Sequence, residues 1–345
     1  MKSAKTLFSP PENRGTIRGE QTWKRGIAMK EKVLALLKQS DGYLSGEEMS
    51  GILGVSRSAV WKAVRQLQEM GYTIESKTKR GYRLVAAPDI LFEPEFSGAL
   101  HTSRIGVKIR HLQAVSSTND LARQYAEEGG EEGYVVLSEN QLHGRGRGGG
   151  SWLSAISRGI YLSVVLRPPG PLVQVAAVSL LVSCAVRDTL EEITDLSFET
   201  RWPGDVCCAE RKVCGILIES AGELERLDYC VAGIGINVNF DQEDFEQGAV
   251  GSATSLKLLT SHWCDRKQLV PALLNRLDRY YCAYLANDFP LVASYQRNCL
   301  TVGKRVLVDG VAATCSGFSC RGEVIARLED GTERICWPGE VRVEG

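Results

Sequence analysis

The segment from Leu44 to Leu67 constrains the fold most, because it contains two helix start signals on either side of a glycine. Ser45 with Glu48 forms a capping box, and Ser56 can cap a second helix. Gly54 between them tolerates the positive φ of a tight turn. Apolar side chains recur on one face of each predicted helix: Met49, Ile52 and Leu53, then Val60, Val64 and Leu67. The segment therefore predicts two short helices joined by a turn.

The flanking residues extend this pattern. Before it, Val33, Leu34 and Leu37 share one face of a predicted helix within residues 30–38. After it, residues 72–76 and 81–85 alternate like a β-hairpin with a basic tip at 77–81. A helix, a helix-turn-helix and a basic hairpin in this order are typical of a winged helix that binds DNA. The alternative is a small helical domain with a solvated basic surface.

Basic and polar residues on the predicted outer surface are the candidates for DNA contact. They are Arg57, Ser58, Lys62 and Arg65 on the second helix, and Lys77, Lys79 and Arg80 on the hairpin. The charge distribution agrees, since residues 29–86 have ten Lys and Arg against six Asp and Glu in a chain of net charge −1. A basic region at the front of an acidic chain favours a polyanionic partner there.

Residues 1–28 are polar and aperiodic, with six Lys and Arg against two Glu. We expect a disordered leader that is upstream sequence and is not translated in the native protein, with Met29 as the true start. Peptides from residues 1–28 in a mass spectrum of the native protein would contradict this hypothesis.

The eleven cysteines include no Cys-x-x-Cys pair, although Cys207, Cys208 and Cys214 lie close together. Zinc sites usually show paired short spacings, so we expect no metal site and instead reduced thiols that pack as small apolar side chains. The N-terminus lacks the apolar core of a signal peptide. The most apolar stretch, Val175 to Val186, is too short to span a bilayer and predicts a buried helix. We therefore expect a cytoplasmic protein with no membrane partner.

The rest of the chain predicts two further domains after a linker at residues 86–95. Strand-like runs such as Tyr134–Ser138 and Gly159–Leu166 alternate with helical ones, which predicts an α/β domain over residues 95–296. Residues 297–345 contain short strands and turns that fit a small β-barrel. With the winged helix at residues 29–86, the fold class is α+β and multidomain.

Four segments of the central domain contain residues suited to chemistry. Ser116–Asp120 opens a helix, where its side chains are either caps or ligand contacts. Gln141–Trp152 has glycines that let backbone approach a ligand and two arginines suited to phosphate, although an Arg-Gly nucleic-acid segment is the alternative. Arg201–Asp205 with Arg211–Glu219 predicts a turn and a hairpin. Gly233–Asn239 predicts an apolar strand whose small residues leave room for a neighbouring group.

Together and in this order, these segments resemble the biotin protein ligases, specifically the bifunctional members that also repress the biotin operon. The resemblance runs from about residue 30 to the C-terminus. It implies a central ligase domain with a mixed sheet, as in biotin and lipoate ligases, and an SH3-like terminal barrel. It also implies that biotin and ATP, with Mg²⁺, form biotinyl-5′-AMP, and that biotin then passes to a lysine of a carboxylase's biotin carrier domain. Operator DNA and, in the adenylate-bound form, a second copy of the chain are the other implied partners.

The resemblance also assigns residues to the biotin and adenylate site. These are Ser117, Thr118, Asn119, Gln141, Arg145, Gly146, Arg147, Arg201, Lys212 and Asn237. Gln141 would lie beside the ureido head, and Asn237 near the nucleotide or its metal. Arg145, Gly146 and Arg147 would hold the carboxylate and the α-phosphate, with Arg147, Arg201 and Asp205 as the catalytic residues. Trp152 would be a lid or a packing residue.

Three positions depart from the family's usual pattern. Gly150 stands where a third basic residue belongs, Arg201 replaces a lysine, and Gly204 replaces an asparagine. Arg and Lys are not interchangeable at a site that needs a compact point charge. These departures motivate an alternative, a DNA-binding biotin sensor with weak transfer activity. A lipoate-type ligase is a third possibility that the winged helix and barrel disfavour.

Overall fold

The computed structural model describes residues 29–248, 252–337 and 339–343, and the chain divides into two units between Pro88 and Asp89. The prediction for residues 1–28 lies outside the described residues. In the described part, no helix is both long enough and apolar enough to cross a membrane.

The first unit confirms the helix-turn-helix with a hairpin. Its elements are α1 (29–39), α2 (Gly46–Leu53), α3 (Arg57–Glu69), β1 (Thr73–Lys77) and β2 (Gly81–Ala86). The capping box at Ser45 is present, and the Ser56 side chain accepts a hydrogen bond from the amide of Ala59. Gly54 ends α2 with a φ of 64°. The start signals read from the sequence therefore set the helix boundaries.

The burial in this unit matches the prediction except at one residue. Val33, Leu34, Met49, Val60, Val64 and Leu67 are all at most 1% exposed. Ile52, predicted on the inner face, is 62% exposed. Met49 is the one buried residue of α2, so only a narrow stripe of this short helix is covered.

The linker predicted at residues 86–95 is wrong in its second half, because residues from Asp89 onward pack into the second unit. Leu91 and Phe92 are buried, and the Leu91 amide donates to the Glu139 carboxylate at 2.5 Å. The Asp89 carboxylate pairs with the buried Arg266 guanidinium at 3.2 Å. Burial and these polar contacts fix the segment in place.

A seven-stranded mixed sheet forms the centre of the second unit, with strand order β3-β4-β5-β9-β8-β7-β6. The pair β3 and β4 is parallel, and the other neighbours are antiparallel. The strands are β3 (Ile109–Leu112), β4 (Val135–Ser138), β5 (Gly159–Leu166), β6 (Glu199–Arg201), β7 (Asp205–Cys208), β8 (Arg211–Glu223) and β9 (Arg226–Asn237).

Helices cover both faces of this sheet. The helices are α4 (Thr118–Glu127), α5 (Gln174–Thr194), α6 (Gln242–Gln247), α7 (Leu256–Thr260), α8 (Arg266–Leu285) and α9 (Leu291–Gln296). On one face, Ala122 and Ala126 of α4 pack with Val136, Val165 and Val231. On the other, the apolar helix predicted at 175–186 lies within α5, packed against α8. Side chains that alternate along each strand supply both clusters.

A second, antiparallel sheet follows α9, with strand order β13-β12-β11-β10-β14. Its strands are β10 (Arg305–Val308), β11 (Val311–Phe318), β12 (Val324–Leu328), β13 (Glu333–Cys336) and β14 (Val341–Val343). The rings of Tyr295 in α9 and Phe318 in β11 meet edge to face at 5.0 Å. The sheet thus belongs to the same compact unit as the ligase-like part, and the boundary between residues 296 and 297 remains a prediction.

Candidate active site

A cavity lies between the start of α4, the loop of residues 141–152 and strands β8 and β9. It encloses about 460 Å³ of empty space when the open solvent at its mouth is included. Nine of the eleven residues predicted for substrate binding or catalysis line it: Ser117, Thr118, Asn119, Gln141, Arg145, Gly146, Arg147, Asp205 and Lys212. Arg201 and Asn237 do not.

The start of α4 presents polar side chains to the cavity instead of using them as caps. Ser117 is the N-cap residue, but its side chain makes no capping hydrogen bond. Ser117, Thr118 and Asn119 are nevertheless at most 4% exposed. This favours the ligand-contact interpretation of the segment over the capping one.

A buried hydrogen-bond network fixes these side chains. The Thr118 amide and hydroxyl donate to Gln141 Oε1 at 2.9 and 3.1 Å. The Ser163 hydroxyl lies 2.6 Å from Asn119 Oδ1 and 2.8 Å from Thr118 Oγ1. The sequence analysis does not name Ser163, although a serine inside a buried and otherwise apolar strand is a signal. Each side chain is therefore oriented before a ligand arrives.

The glycine-rich loop is a closed hairpin over the cavity. Gly144 and Trp152 are joined by a backbone hydrogen bond of 2.8 Å, and the Gly146 amide donates to the Gly150 carbonyl at 2.7 Å. At the tip, Gly148 and Gly149 have φ of 62° and 80°, which glycine adopts without strain. The loop is folded, which disfavours the alternative that it is a flexible Arg-Gly segment for binding nucleic acid.

Arg145 is held between two carboxylates at the cavity mouth. Its guanidinium lies 2.8 Å from Asp120 and 3.0 Å from Glu219. The hydrogen bond to Asp120, supported by the charge of Glu219, raises the pKa of Arg145. The Glu219 carboxylate also accepts a hydrogen bond of 2.7 Å from the side-chain amide of Asn119, and this bond links Arg145 to the buried network.

Arg147 and Lys212 share one carboxylate on β7. Asp205 Oδ1 lies 2.8 Å from the Arg147 guanidinium and 2.9 Å from Lys212 Nζ. Two cations around one carboxylate leave a net positive charge beside the cavity. Such an arrangement suits an anionic ligand, because the cations are positioned before it binds.

Paired glycines form part of the cavity floor beneath Trp152. Gly215 of β8 and Gly235 of β9 are neighbours in the sheet. A Cβ atom at either position would lie 2.6 or 2.5 Å from the indole ring. Lys212 Nζ lies 5.3 Å from the centre of the same ring. Gly235, in the strand predicted to leave room for a neighbouring group, therefore admits the indole, and Gly215 does so as well.

Arg201 points away from the cavity although it precedes Asp205 by only four residues. Its guanidinium donates to the Glu210 carbonyl at 2.8 Å, in the turn between β7 and β8. Asn237 is buried at the end of β9, two residues beyond Gly235. The compact ammonium group that lines the cavity is that of Lys212.

Comparison with known proteins assigns the chain to a family. Residues 30–83 match the family model of an HTH domain, and residues 111–237 match that of the biotin/lipoate A/B protein ligase family. The bifunctional ligase/repressor BirA of Bacillus subtilis is 30% identical over 90% of this chain and 97% of its own length. The chain belongs to the bifunctional biotin ligase and repressor family.

Solved structures agree with this family at the level of the fold. A biotin protein ligase from Aquifex aeolicus in complex with biotin and ATP has a TM-score of 0.57 and 29% identity. The match covers 69% of this chain and 99% of that one.

A second sequence relative, the bifunctional ligase/repressor BirA of Bacillus spizizenii, is 30% identical over 89% of this chain and 96% of its own length. The lipoate-type alternative is thus disfavoured.

Two departures from the family's pattern differ in their surroundings. A Cβ atom at Gly150 would lie 3.4 Å from the Arg147 carbonyl, an ordinary contact. A Cβ atom at Gly204 would lie 2.8 Å from the Ile216 carbonyl oxygen. The family's usual basic residue fits at position 150, whereas its usual asparagine at position 204 requires the backbone to move.

Six of the eleven cysteines are buried, as predicted for small apolar side chains, four are half-buried, and Cys320 is exposed. Burial raises the pKa of the Cys207 thiol to about 12, and the pKa of the Cys214 thiol is also raised by burial. Both thiols are therefore protonated at neutral pH. Among the residues that the structure describes, no three His, Cys, Asp or Glu side chains group as metal ligands.

Proposed function

We propose that this family member joins biotin to ATP, transfers the biotin to a lysine of a carboxylase's biotin carrier domain, and represses transcription from operator DNA. The observation that carries the proposal is the cavity, where three paired cations and a buried hydrogen-bond network surround a glycine floor. The helix-turn-helix unit of the same chain supports the second activity.

The polar network suits the biotin head group. We assign Ser117, Thr118, Asn119 and Gln141 to the ureido end. The first three are buried, and the side chains of Thr118, Asn119 and Gln141 are fixed by hydrogen bonds that they both donate and accept. Arg145 and Gly146 then lie at the carboxylate end of the ligand.

Activation joins two anions, which repel each other unless fixed charges compensate. The biotin carboxylate oxygen attacks the α-phosphorus, a P–O bond forms, and pyrophosphate leaves. In this proposal Arg147 and Lys212, both anchored by Asp205, stabilise the charge on the α-phosphate. The carrier lysine then attacks the acyl carbon, and AMP leaves. The loop over the cavity limits the access of water to the adenylate.

Arg201 has a different place in this scheme from the one that the sequence predicts. Because its guanidinium binds the Glu210 carbonyl, it supports the turn that positions Lys212. We therefore assign the charge closest to the phosphate to Lys212. Asn237, at the end of β9, remains our candidate for a residue beside the nucleotide.

Mg²⁺ enters this proposal with ATP as part of the substrate. Asp120, Asp205 and Glu219 are each already paired with an arginine or a lysine. Mg²⁺ commonly keeps several waters and binds through substrate phosphates with one or two carboxylates. Asp205 is the carboxylate closest to the phosphate position that we propose.

Repression requires that adenylate binding in the second unit affect DNA binding by the first. We propose that the adenylate-bound form dimerises and that two helix-turn-helix units then bind two operator half-sites. A protein that needs ATP, carboxylases and chromosomal DNA works in the cytoplasm, which is the location we propose.

One experiment tests the enzyme. The full chain is incubated with biotin, Mg-ATP and an isolated biotin carrier domain, and the mass of the carrier is measured. We expect the mass increase of one biotin on the acceptor lysine. Biotin binding without any transfer would favour the alternative, a DNA-binding biotin sensor, which the positions of Gly150, Arg201 and Gly204 motivate.

A further inference from the structure

Tyr43 lies beside the β1–β2 hairpin because its neighbour Leu44 pairs with that hairpin. The backbones of Leu44 and Tyr82 exchange two hydrogen bonds of 2.9 Å. Gly81 makes this approach possible, since a Cβ atom there would lie 2.1 Å from the Leu44 carbonyl oxygen. The position of Tyr43 is therefore set by backbone contacts, independently of its side chain.

Three cations surround the ring of Tyr43. Lys77 Nζ and the guanidinium carbons of Arg80 and Arg83 lie 5.1, 4.8 and 5.1 Å from its centre. These distances are within the range of cation–π attraction, which draws a cation to the electron-rich face of a ring. The ring thus holds together side chains that would otherwise repel one another.

The carboxylate of Glu75 neutralises only part of the positive charge of this cluster. Glu75 accepts a hydrogen bond from the Tyr43 hydroxyl and pairs with Arg83 at 3.0 Å. The Tyr43 hydroxyl first, and Arg83 after it, hold the pKa of Glu75 below its usual value. Across the described part of the chain, no carboxylate lies within ion-pair distance of Lys77 or Arg80. The cluster keeps a positive excess of two charges, with Lys79 adjacent at the hairpin tip.

We propose that Tyr43 is the positioning residue of a phosphate-binding surface, formed by Lys77, Arg80 and Arg83, that contacts the backbone of duplex DNA. The inference rests on the DNA binding proposed above and adds Tyr43 and Arg83 to it. An arginine stacked on a ring keeps its N–H groups directed outward, and these match phosphate oxygens. Holding the cations in one place reduces the conformational entropy lost when DNA binds.

The test measures binding of the full chain to a 40-base-pair duplex of random sequence, by fluorescence anisotropy at several salt concentrations. Phosphate contacts are independent of sequence, so no operator is needed. We expect Tyr43→Leu to bind about tenfold more weakly in 50 mM KCl, with a shallower dependence on salt. Tyr43→Phe keeps the ring and should stay within about twofold of the unchanged chain.

Two further measurements separate positioning from folding. Arg80→Gln, which leaves the ring intact, should reduce the slope of log K against log salt by about 0.9. Tyr43→Leu should weaken binding by a smaller factor in the Arg80→Gln background than in the unchanged chain, because part of the effect of Tyr43 on binding acts through Arg80.

The outcomes are distinct. Equal binding and equal salt slopes for Tyr43→Leu and the unchanged chain would overturn the inference and leave DNA binding intact. If the unchanged chain does not bind the duplex, the proposed DNA function fails instead. Tighter binding to an RNA duplex of the same sequence would overturn the assignment to DNA.

Discussion

The cavity and the hairpin of the first unit both contain clustered cations, but their counter-charges differ. In the cavity, Arg145, Arg147 and Lys212 each lie within 3.0 Å of a carboxylate. On the hairpin, Lys77 and Arg80 pack against an aromatic ring, and the described residues place no carboxylate within ion-pair distance of either.

This difference reflects the ligand that each region is suited to bind. Carboxylates hold the cavity cations in defined positions, which a small ligand and a reaction require. A ring holds the hairpin cations without neutralising them, and this preserves long-range attraction for a polyanion. The four predictions below test the contrast, starting with the largest expected effect.

Arg147→Met should lower the rate of biotinyl-adenylate formation by about a hundredfold or more, as for a lost transition-state donor. The substitution also leaves Lys212 as the one remaining cation beside Asp205. The measurement is pyrophosphate release with biotin and Mg-ATP. Arg226→Met, which removes a surface pair with Asp228, is the matched control and should leave the rate unchanged. Equal rates for both variants would remove Arg147 from the mechanism.

Ionic strength should separate the two regions. Binding of the duplex used above should weaken about a hundredfold between 50 and 200 mM KCl if four phosphates are contacted. The rate of adenylate formation should change by less than about threefold, because its cations are positioned by close, partly buried pairs. If the rate falls with salt as steeply as the DNA affinity does, the two groups of cations do not differ in the way proposed here.

Gly204→Asn should destabilise the chain by about 1–3 kcal/mol, because its Cβ atom meets backbone at 2.8 Å. Urea denaturation of the full chain measures this. Gly204→Ala should show a similar loss, whereas Gly150→Ala, whose Cβ atom makes an ordinary contact of 3.4 Å, should show almost none. A stable Gly204→Asn variant would show that the backbone below the cavity adapts.

Gly150→Arg should raise the rate of adenylate formation by about two- to fivefold, the scale of one partly exposed ionic contact. The side chain fits, since its Cβ atom would have an ordinary contact of 3.4 Å with the Arg147 carbonyl. The same pyrophosphate assay measures it. A lower rate would indicate that the glycine is needed for loop movement.

Patterns of local origin were predictable from the sequence. Ser45 and Ser56 start α2 and α3 as expected, since a capping side chain bonds to backbone within three residues of itself. The order of the motifs also predicted nine cavity residues, because each motif lies at the end of a strand or helix that the fold brings to one place.

Positions that depend on packing were not predictable. Ile52 fits the apolar face of α2, yet nothing in the helix pattern shows how little of that face is covered. Ser163 stands out in an apolar strand, but its bonds to Thr118 and Asn119 depend on the packing of β5 beneath α4. The segment from Asp89 reads as a linker because its partners Glu139 and Arg266 are distant in sequence.

By itself, the sequence determined the helix-turn-helix, the family and nine of the residues around the cavity, since short-range signals and motif order are written along the chain. The tertiary structure alone decided which of two cations, Arg201 or Lys212, lines the cavity. Arg201 lies on β6 and Lys212 on β8, on either side of β7. The Arg201 guanidinium donates to the Glu210 carbonyl, whereas the Lys212 ammonium pairs with Asp205. The direction of a side chain depends on partners that fold beside it, and a linear pattern does not contain them.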